Sequence, residues 1–312
     1  MLSLFRSRFV LSSLIRTPNR SLFRSAISLN LKTLEERAAG GKASDSFALG
    51  MAYLQGASSD YARGVDCINK AADSGHIEAQ FVLGKVFALG RGVEPNSDTA
   101  IAWYTKASEK GHAEAMLNLG YLLKQQGNAS KALEMFERSA AAGFAPAKVI
   151  LAQYYAFGYI VPIDYQRAEE LFLSALKSPN LTELDKMDAC ALLGRVYLCT
   201  KPQQLGKAIE YLKRAAEAGD HGAQFYLGAA LRDNNPTEAF SWILKAAKGG
   251  FLDAQYHIAL ALLKGVGTEP NEQESFQWFL KAAERGHAKA QLGVGQAYHR
   301  ENNYNAAVEW YT

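Results

Sequence analysis

The chain has 312 residues, of which 48% are hydrophobic and 21% are charged, with a formal net charge of +3 at pH 7. This composition provides enough apolar material for a core and excludes a collagen-like chain or one that is disordered throughout. Cys67, Cys190 and Cys199 are too few for the disulfide framework of a small secreted module. No stretch reaches the roughly 18 consecutive apolar residues of a membrane helix, so no membrane span is predicted.

The first thirty residues differ from the rest of the chain in their charge. They contain seven serines and five arginines but no acidic residue. Apolar residues are interleaved with the arginines, a spacing that can give a helix one cationic and one apolar face, as in mitochondrial transit peptides. We therefore expect residues 1–30 to direct import, with the matrix as destination rather than the intermembrane space. The targeting residues would be Arg6, Arg8, Arg16, Arg20 and Arg24.

Two other interpretations of this leader stay open. A secretory signal needs about 7–15 uninterrupted apolar residues, and the best candidate, residues 9–15, is broken by Ser12 and Ser13. Entry into the endoplasmic reticulum is therefore an alternative address, and a basic tail without any targeting role is another. Residues 31–42 are predicted to be a linker to the rest of the chain.

Beyond the linker, two short motifs recur in a constant order. The first has the form K-A-A-x-x-G, with its copies ending 31 to 40 residues apart, and a degenerate copy fills residues 174–179. Its glycines are Gly75, Gly111, Gly143, Gly219, Gly250 and Gly286. The second motif follows a few residues later and ends in a small residue, at Gly84, Gly120, Ala152, Gly194, Gly228, Ala259 and Gly295. Self-similarity at this period is typical of helical repeats.

Each repeat is predicted to contain two helices, here called helix A and helix B. The small residue within helix A indicates that another helix packs closely against it, and the glycine after helix B suits the left-handed conformation that ends a helix. An aromatic residue recurs in helix B three positions before the basic residue of the first motif. These aromatics are predicted to pack in the core, and they are Trp103, Tyr211, Trp242 and Trp278.

The paired motifs, with the glycine-containing inserts at 90–93 and 265–267, resemble the Sel-one-like repeat, a relative of the tetratricopeptide repeat. The resemblance covers residues 43–312. It implies an all-α fold, a right-handed α-solenoid of about seven stacked helix-turn-helix repeats, and a non-enzymatic adaptor or scaffold function in complex assembly, quality control or stress signalling. The last repeat stops at Thr312 before its first motif, so it is predicted to be truncated. Residues 174–202 lack the glycine stop, and a bend or loosening is expected there.

The sequence predicts no catalytic, cofactor-binding or metal-binding residue. His76, His112 and His287 each follow a glycine that ends a repeat, so they are expected to cap or pack at that turn. Paired Cys/His spacing and the HExxH pattern are both lacking. The glycine-rich inserts also lack the frame of a phosphate-binding loop. A metal- or thiol-dependent enzyme is left as an alternative that rests only on scattered histidines and cysteines.

Nucleic acid is not expected to be a partner. An RNA-reading helical repeat protein neutralises phosphates and should be basic. The first thirty residues contribute five arginines and no acid, so the remainder carries 29 basic and 31 acidic side chains, a net charge of −2. The partners are therefore predicted to be proteins.

Stacked helix pairs form an extended concave surface that is lined mainly by one helix of each pair. The first and fourth residues after the small position of helix A are predicted to face this groove. Most of these residues are polar or basic, with an apolar spot at two leucines, which favours an acidic or mixed protein ligand. The predicted groove residues are Lys85, Tyr121, Lys124, Gln153, Arg195, Arg232, Leu260, Leu263, Gln296 and His299.

Overall fold

The computed structural model describes residues 31–55 and 60–311. The predicted leader, residues 1–30, lies outside the described residues. Within the described ranges the secondary structure consists of 17 α-helices and short connections, without a strand. The chain divides into two compact units, residues 1–151 and 152–312.

Unit 1 contains α1 to α7, and the boundary between the units falls inside α8. The helices up to this boundary are α1 Leu31–Ala38, α2 Ala43–Gln55, α3 Tyr61–Asp73, α4 Ile77–Leu89, α5 Ser97–Glu109, α6 Ala113–Gln125, α7 Ala129–Ala141 and α8 Ala145–Phe157. The helices that follow are α9 Tyr165–Leu176, α10 Glu183–Cys199, α11 Leu205–Glu217, α12 His221–Leu231, α13 Pro236–Lys248, α14 Leu252–Lys264, α15 Glu272–Ala283, α16 Ala288–Arg300 and α17 Tyr304–Tyr311.

The helices form stacked pairs, as the repeat pattern predicts. The even-numbered helices from α2 to α16 are the A helices, and the odd-numbered helices from α3 to α17 are the B helices. In unit 1, α4 packs on α5 and α5 packs on α6; in unit 2, α12, α13 and α14 pack in the same order. The prediction of an all-α solenoid of stacked helix pairs is confirmed.

The small residue of helix A is required by its contact with helix B. A Cβ on Gly84 would collide with the ring of Tyr104, and a Cβ on Gly228 would collide with the side chain of Ile243. The glycine that ends helix B is also required, because Gly75 has a φ of +85°. At such an angle a residue with a side chain is disfavoured. Both sequence interpretations are confirmed.

A buried glutamine joins the end of helix B to the next helix A. Its side-chain nitrogen donates a hydrogen bond of 3.1–3.2 Å to a backbone carbonyl eight residues earlier. Because the last carbonyls of a helix have no partner within the helix, this bond satisfies one of them. The pairs are Gln80 with Ala72, Gln224 with Ala216, and Gln255 with Ala247.

The segment predicted as a linker, residues 31–42, contains a helix. Leu34 of α1 is buried in a cluster with Leu49 and Tyr53 of α2. The Tyr53 hydroxyl donates a hydrogen bond of 2.5 Å to Glu35. These contacts make α1 part of the packed fold, so the expectation of a linker is corrected for residues 31–38. The repeat motifs did not predict this helix, because α1 precedes the first copy of either motif.

The irregular segment 174–202 is built as an extended helix A. Leu181 is buried, and the Thr182 hydroxyl accepts a hydrogen bond from the backbone N–H of Asp185 at the start of α10. This helix has 17 residues, whereas the other A helices have 11 or 13. The residues that replace the glycine stop thus form a connection with a buried anchor and an added N-terminal turn.

Candidate protein-interaction surface

Three histidines begin A helices in the way that their position after the glycine predicts. The Nδ1 atoms of His76, His112 and His287 each accept a hydrogen bond of 3.1–3.2 Å from a backbone N–H three residues later. Such an N-cap satisfies one of the free N–H groups in the first turn of the helix. The prediction that these histidines cap or pack at the turn is confirmed.

Each of these rings also stacks on an aromatic residue of the preceding helix A. The ring centroids of His112 and Phe81 are 4.3 Å apart, and those of His287 and Tyr256 are 4.7 Å apart. The remaining nitrogen, Nε2, lies 3.6 Å from Asp253 in the case of His287. We call the set of Tyr256, His287 and Asp253 the histidine joint. In this joint the Nδ1 atom of His287 accepts a hydrogen bond from its own helix and the Nε2 atom faces the carboxylate of Asp253.

A different arrangement joins α8, α10 and α12. The Arg195 guanidinium lies over the ring of Phe157 at 4.9 Å and over the ring of Tyr226 at 4.8 Å, measured from its central carbon to each ring centroid. We call these three residues the arginine joint. Among the residues that the structure describes, no carboxylate pairs with Arg195 and no side chain or carbonyl accepts a hydrogen bond from it.

Local packing explains why the Arg195 side chain points away from the core. It directly follows Gly194, where a Cβ would lie 2.5 Å from the side chain of Leu212 in α11. The next position on the helix therefore points away from that contact, and Arg195 is half-buried. Phe157 ends α8 and packs against Tyr159, with centroids 6.0 Å apart. The guanidinium group thus contacts two aromatic rings, which do not take up its N–H groups as a carboxylate would.

The arginine joint continues into a row of aromatic contacts along the A helices of unit 2. Tyr226 touches Phe225, which packs against His257, and Tyr256 then connects His257 to His287, with successive centroids 4.7–5.4 Å apart. We call this set the aromatic row, and its members are Phe157, Arg195, Tyr226, Phe225, His257, Tyr256 and His287.

Charges of both signs lie beside the row. Burial is the main cause that lowers the pKa of His257, and the carboxylate of Asp253 opposes this effect. The cations Arg232, His287 and Lys289 lower the pKa of His257 further.

In unit 1, the predicted groove residues are engaged with their own chain. Lys85 is half-buried with its Nζ 5.3 Å from the Phe81 ring, and burial lowers its pKa against the opposing effect of Glu114. Tyr121 packs edge-on against Phe136 of the B helix α7. Lys124 is half-buried as well. These side chains therefore contribute to packing in addition to lining a surface.

In unit 2, the predicted residues separate into two groups. Gln153 is half-buried, and Arg232 and Gln296 are exposed. The Arg232 Nε atom lies 3.3 Å from Asp233. Two predicted side chains instead pack inside the repeats, because Leu260 and Leu263 lie against the hydrophobic cluster around Phe279.

His299, the last predicted groove residue, lies near the C-terminal helix. Its ring is exposed and meets Tyr304 of α17 at a centroid distance of 5.2 Å. His299 and Leu263 hold the fourth position after the small residue, whereas Leu260 and Tyr121 hold the first and also contact neighbouring side chains. Of the predicted groove residues, Arg195 is the one that belongs to the aromatic row.

Sequence analysis missed Phe157 and Tyr226, the two rings of the arginine joint. Phe157 lies five residues after the small residue of its repeat, and Tyr226 lies two residues before Gly228. Considering one helix at a time does not place these positions next to Arg195, because they belong to three different A helices. The sequence does hold a signal that could have found this contact: helix A of the repeat before Arg195 and helix A of the repeat after it each carry an aromatic residue near the small position.

Two of the helix B aromatics, Trp103 and Trp278, pack against the hydrophobic clusters as predicted, although they are only half-buried. Trp242 is half-buried too, its indole N–H donates to Glu238 at 3.3 Å, and Lys245 lies over its ring at 3.9 Å. Trp278 has the corresponding lysine, Lys281, at 5.0 Å.

The cysteines and histidines do not assemble a reactive centre in the described ranges. Burial raises the pKa of the Cys67 and Cys190 thiols, which disfavours the reactive thiolate, and Cys199 is a free, exposed cysteine. Over residues 31–55 and 60–311, no group of three or more His, Cys, Asp or Glu could hold a metal ion. In the same part of the chain, no helix combines the length and the apolar character that crossing a membrane requires.

Comparison with family models assigns the repeats. The Sel1 repeat model matches seven consecutive segments that together cover more than half of the chain. They are residues 46–76, 77–112, 113–144, 145–180, 188–220, 222–251 and 252–287. A tetratricopeptide repeat model matches residues 273–312.

Curated relatives include an uncharacterised protein of Neisseria meningitidis, which is 29% identical over 69% of this chain and 44% of its own length. Chitin synthase regulatory factor 3 of Schizosaccharomyces pombe is 26% identical over 71% of this chain and 26% of that protein. The chain therefore spans less than half the length of these relatives.

Solved structures share the fold. A Sel1 repeat protein from Oxalobacter formigenes matches with a TM-score of 0.66 and 24% identity, over 96% of this chain and 92% of that one. A protective antigen of uropathogenic Escherichia coli with an SLR fold matches with a TM-score of 0.58 and 28% identity, over 91% of this chain and 71% of that one. The seven consecutive matches to one model establish that this chain belongs to the Sel1 repeat family.

Proposed function

We propose that this protein is a non-catalytic adaptor that binds protein partners along the A helices. The observation that carries the proposal is the aromatic row of unit 2, in which an arginine contacts two aromatic rings. Aromatic residues and arginine are enriched where proteins bind one another, because they combine a large contact area with directed polar groups. Here they line A helices, which carry the binding surface in stacked helical repeats.

The names of the curated relatives support a role exerted on another protein. Two of them, from the yeasts Schizosaccharomyces pombe and Saccharomyces cerevisiae, are described as a regulatory factor and a regulator of chitin synthase. A regulator of this kind acts on an enzyme rather than on a small substrate. By analogy, we propose that this chain holds or positions another protein in complex assembly, quality control or stress signalling.

The adaptor function is tested by charge reversal on the proposed surface. We expect the double variant Arg195→Glu with Arg232→Glu to lose the proteins that co-purify with the full chain from cells. The matched control, Lys213→Glu with Lys248→Glu, reverses two exposed lysines of B helices and should keep them. Circular dichroism would verify that both variants remain helical. Retention of all partners by the first variant would contradict the proposed surface.

We also propose that the protein acts in mitochondria, in the matrix rather than in the intermembrane space. The support is the composition of residues 1–30, with five arginines, seven serines and no acid. A cationic helix is drawn inward by the membrane potential with about 2.3 kcal/mol per charge per 100 mV. The alternative is an adaptor of the same fold in the endoplasmic reticulum.

The proposed mitochondrial localisation is tested with a fluorescent protein fused to the C-terminus. The unmodified fusion should coincide with a mitochondrial marker, and Arg6→Glu with Arg16→Glu should abolish this pattern because the leader loses most of its net positive charge. The control, Lys213→Glu with Lys248→Glu, should leave the pattern unchanged. A reticular pattern of the unmodified fusion would support the alternative address instead.

A further inference from the structure

Arg195 holds an uncommon position for a charged side chain. It is half-buried, its central carbon lies 4.8–4.9 Å from the centroids of two aromatic rings, and no acceptor within the described residues binds its N–H groups. A guanidinium carries five N–H donors in one plane, which suit the oxygens of a carboxylate. Among the described residues, the donors of Arg195 are therefore unused.

Among the described residues, Lys207 and Lys245 also lie over aromatic rings but lack this combination. Lys207 lies 5.1 Å from the Tyr197 ring, but its Nζ also pairs with Glu169 at 3.3 Å. Lys245 covers Trp242 on helix B with a flexible ammonium group. A lysine acts as a point charge, whereas a stacked arginine presents a fixed fork that matches the two oxygens of a carboxylate.

We propose that the arginine joint is a carboxylate-binding subsite for an acidic peptide segment of a protein partner. The Arg195 N–H groups would donate two parallel hydrogen bonds to one glutamate or aspartate side chain of the peptide. The rings of Phe157 and Tyr226 restrict the guanidinium, so less side-chain freedom is lost on binding. This inference specifies the partner chemistry of the adaptor function and rests on it.

Charge complementarity supports an acidic occupant. Arg232 and Lys289 lie close enough to His257 in the aromatic row to lower its pKa. A peptide that follows the row from Arg195 would therefore pass these two cations as well as the carboxylate of Asp253, which faces His287. An aromatic lining also suits apolar side chains placed between the acidic ones. A nucleic acid would use the same charges, but the remainder of the chain beyond residue 30 carries two more acidic than basic side chains.

The test measures the fluorescence anisotropy of labelled hexaglutamate during titration with the full chain at low salt. We expect binding to hexaglutamate but not to labelled hexaglutamine. Arg195→Gln should weaken hexaglutamate binding at least about tenfold, because a hydrogen bond to a charged group contributes roughly 1.5–3 kcal/mol. Tyr226→Leu should weaken it several-fold, since the guanidinium would lose one of its two supporting rings.

Two control variants distinguish specific binding at Arg195 from non-specific electrostatic attraction between the peptide and the protein. Arg195→Lys keeps the charge but loses the planar fork, so it should restore only part of the affinity. Arg232→Gln removes an exposed arginine that already pairs with Asp233, and it should weaken binding by less than the Arg195→Gln change. Equal losses from Arg195→Gln and Arg232→Gln would overturn the proposal, as would hexaglutamate binding that does not depend on Arg195.

A competition experiment distinguishes the peptide from a nucleic acid. Unlabelled oligothymidylate should not displace hexaglutamate at matched charge concentration, and equal displacement would overturn the assignment of an acidic peptide. Failure of this proposal and failure of the adaptor function are distinguishable. If cellular partners depend on the A-helix face but hexaglutamate binding does not depend on Arg195, only the carboxylate subsite is contradicted.

Discussion

The histidine joint and the arginine joint connect A helices by aromatic stacking, but they differ in how their polar groups are satisfied. In the histidine joint, His287 caps its own helix, stacks on Tyr256 and lies near Asp253. In the arginine joint, Arg195 stacks on two rings and has no acceptor among the described residues. The comparison suggests that the first joint stabilises the stack, whereas the second is available to a ligand.

The largest effect is expected from His287→Ala. This change removes an N-cap, which contributes about 1 kcal/mol, and a stacked ring pair, which contributes about 0.5–1.5 kcal/mol. The free energy of unfolding should therefore fall by about 2 kcal/mol, measured by urea denaturation followed by circular dichroism. His299→Ala is the matched control, because His299 is exposed, caps no helix and makes only an edge contact with Tyr304, so it should cost less than His287→Ala.

The same measurement on Arg195→Met sharpens the comparison. Methionine keeps an apolar stem against the two rings, so the free energy of unfolding should change by less than about 1 kcal/mol. The distinction between the joints would be lost if Arg195→Met destabilised the protein as much as His287→Ala does.

A smaller effect, of opposite sign, is expected in the loop that follows Phe157. Ile160 has a φ of +72°, whereas the corresponding positions after α4 and α14 are Gly92 at +75° and Gly267 at +73°. A β-branched residue is strained in this region, at a cost on the order of 1–3 kcal/mol. Ile160→Gly should therefore raise the free energy of unfolding by about 1 kcal/mol, after allowing for the greater freedom of unfolded glycine.

Ile163→Gly is the control for this loop. Ile163 is exposed and is not in the left-handed region, so this substitution adds unfolded-state freedom without relieving strain and should lower stability. A decrease in stability with Ile160→Gly would show that the left-handed angle is not a source of strain beside the arginine joint.

The smallest effect concerns pH and His257, which lies in the aromatic row between the two joints. Burial lowers the pKa of His257 in the folded protein below its unfolded value. The folded state therefore binds fewer protons there than the unfolded state as the pH falls below about 6.5. This contribution to stability is complete above that pH and is lost as the pH falls through the folded pKa.

We expect His257→Gln to reduce the loss of stability between pH 7 and pH 5, measured by urea denaturation at each pH. His299→Gln is the control, since its side chain is exposed. If the stability of His257→Gln depended on pH as that of the unmodified protein does, protonation of His257 would not be a cause of the loss of stability at low pH.

Much of the fold could be predicted from the sequence because its determinants are local. The glycine after helix B is required by a left-handed backbone angle, and Gly84 is required by the approach of Tyr104. Both requirements repeat in phase along the chain, so they stand out from other glycines. Helix α1 was missed because it carries neither motif and is held by contacts such as that of Leu34 with α2.

The candidate site was less predictable. Arg195 is selected by its position on one helix, but the two rings that it contacts come from α8 and α12. Leu260 and Leu263 were selected by the same rule, although they pack against the cluster around Phe279. Helical periodicity predicts which side of helix A faces away from helix B of the same repeat. It does not predict the contacts with the neighbouring repeats, because these depend on side-chain size and loop length.

The most direct test of the account is the shift in unfolding midpoint that hexaglutamate produces in two variants. His287→Ala should have a lowered midpoint that still rises when hexaglutamate is added, because its arginine joint is intact. Arg195→Gln should have a midpoint near that of the unmodified protein and show no rise with the peptide. If Arg195→Gln were stabilised by hexaglutamate as much as the unmodified protein, the division between a structural joint and a binding joint would be contradicted.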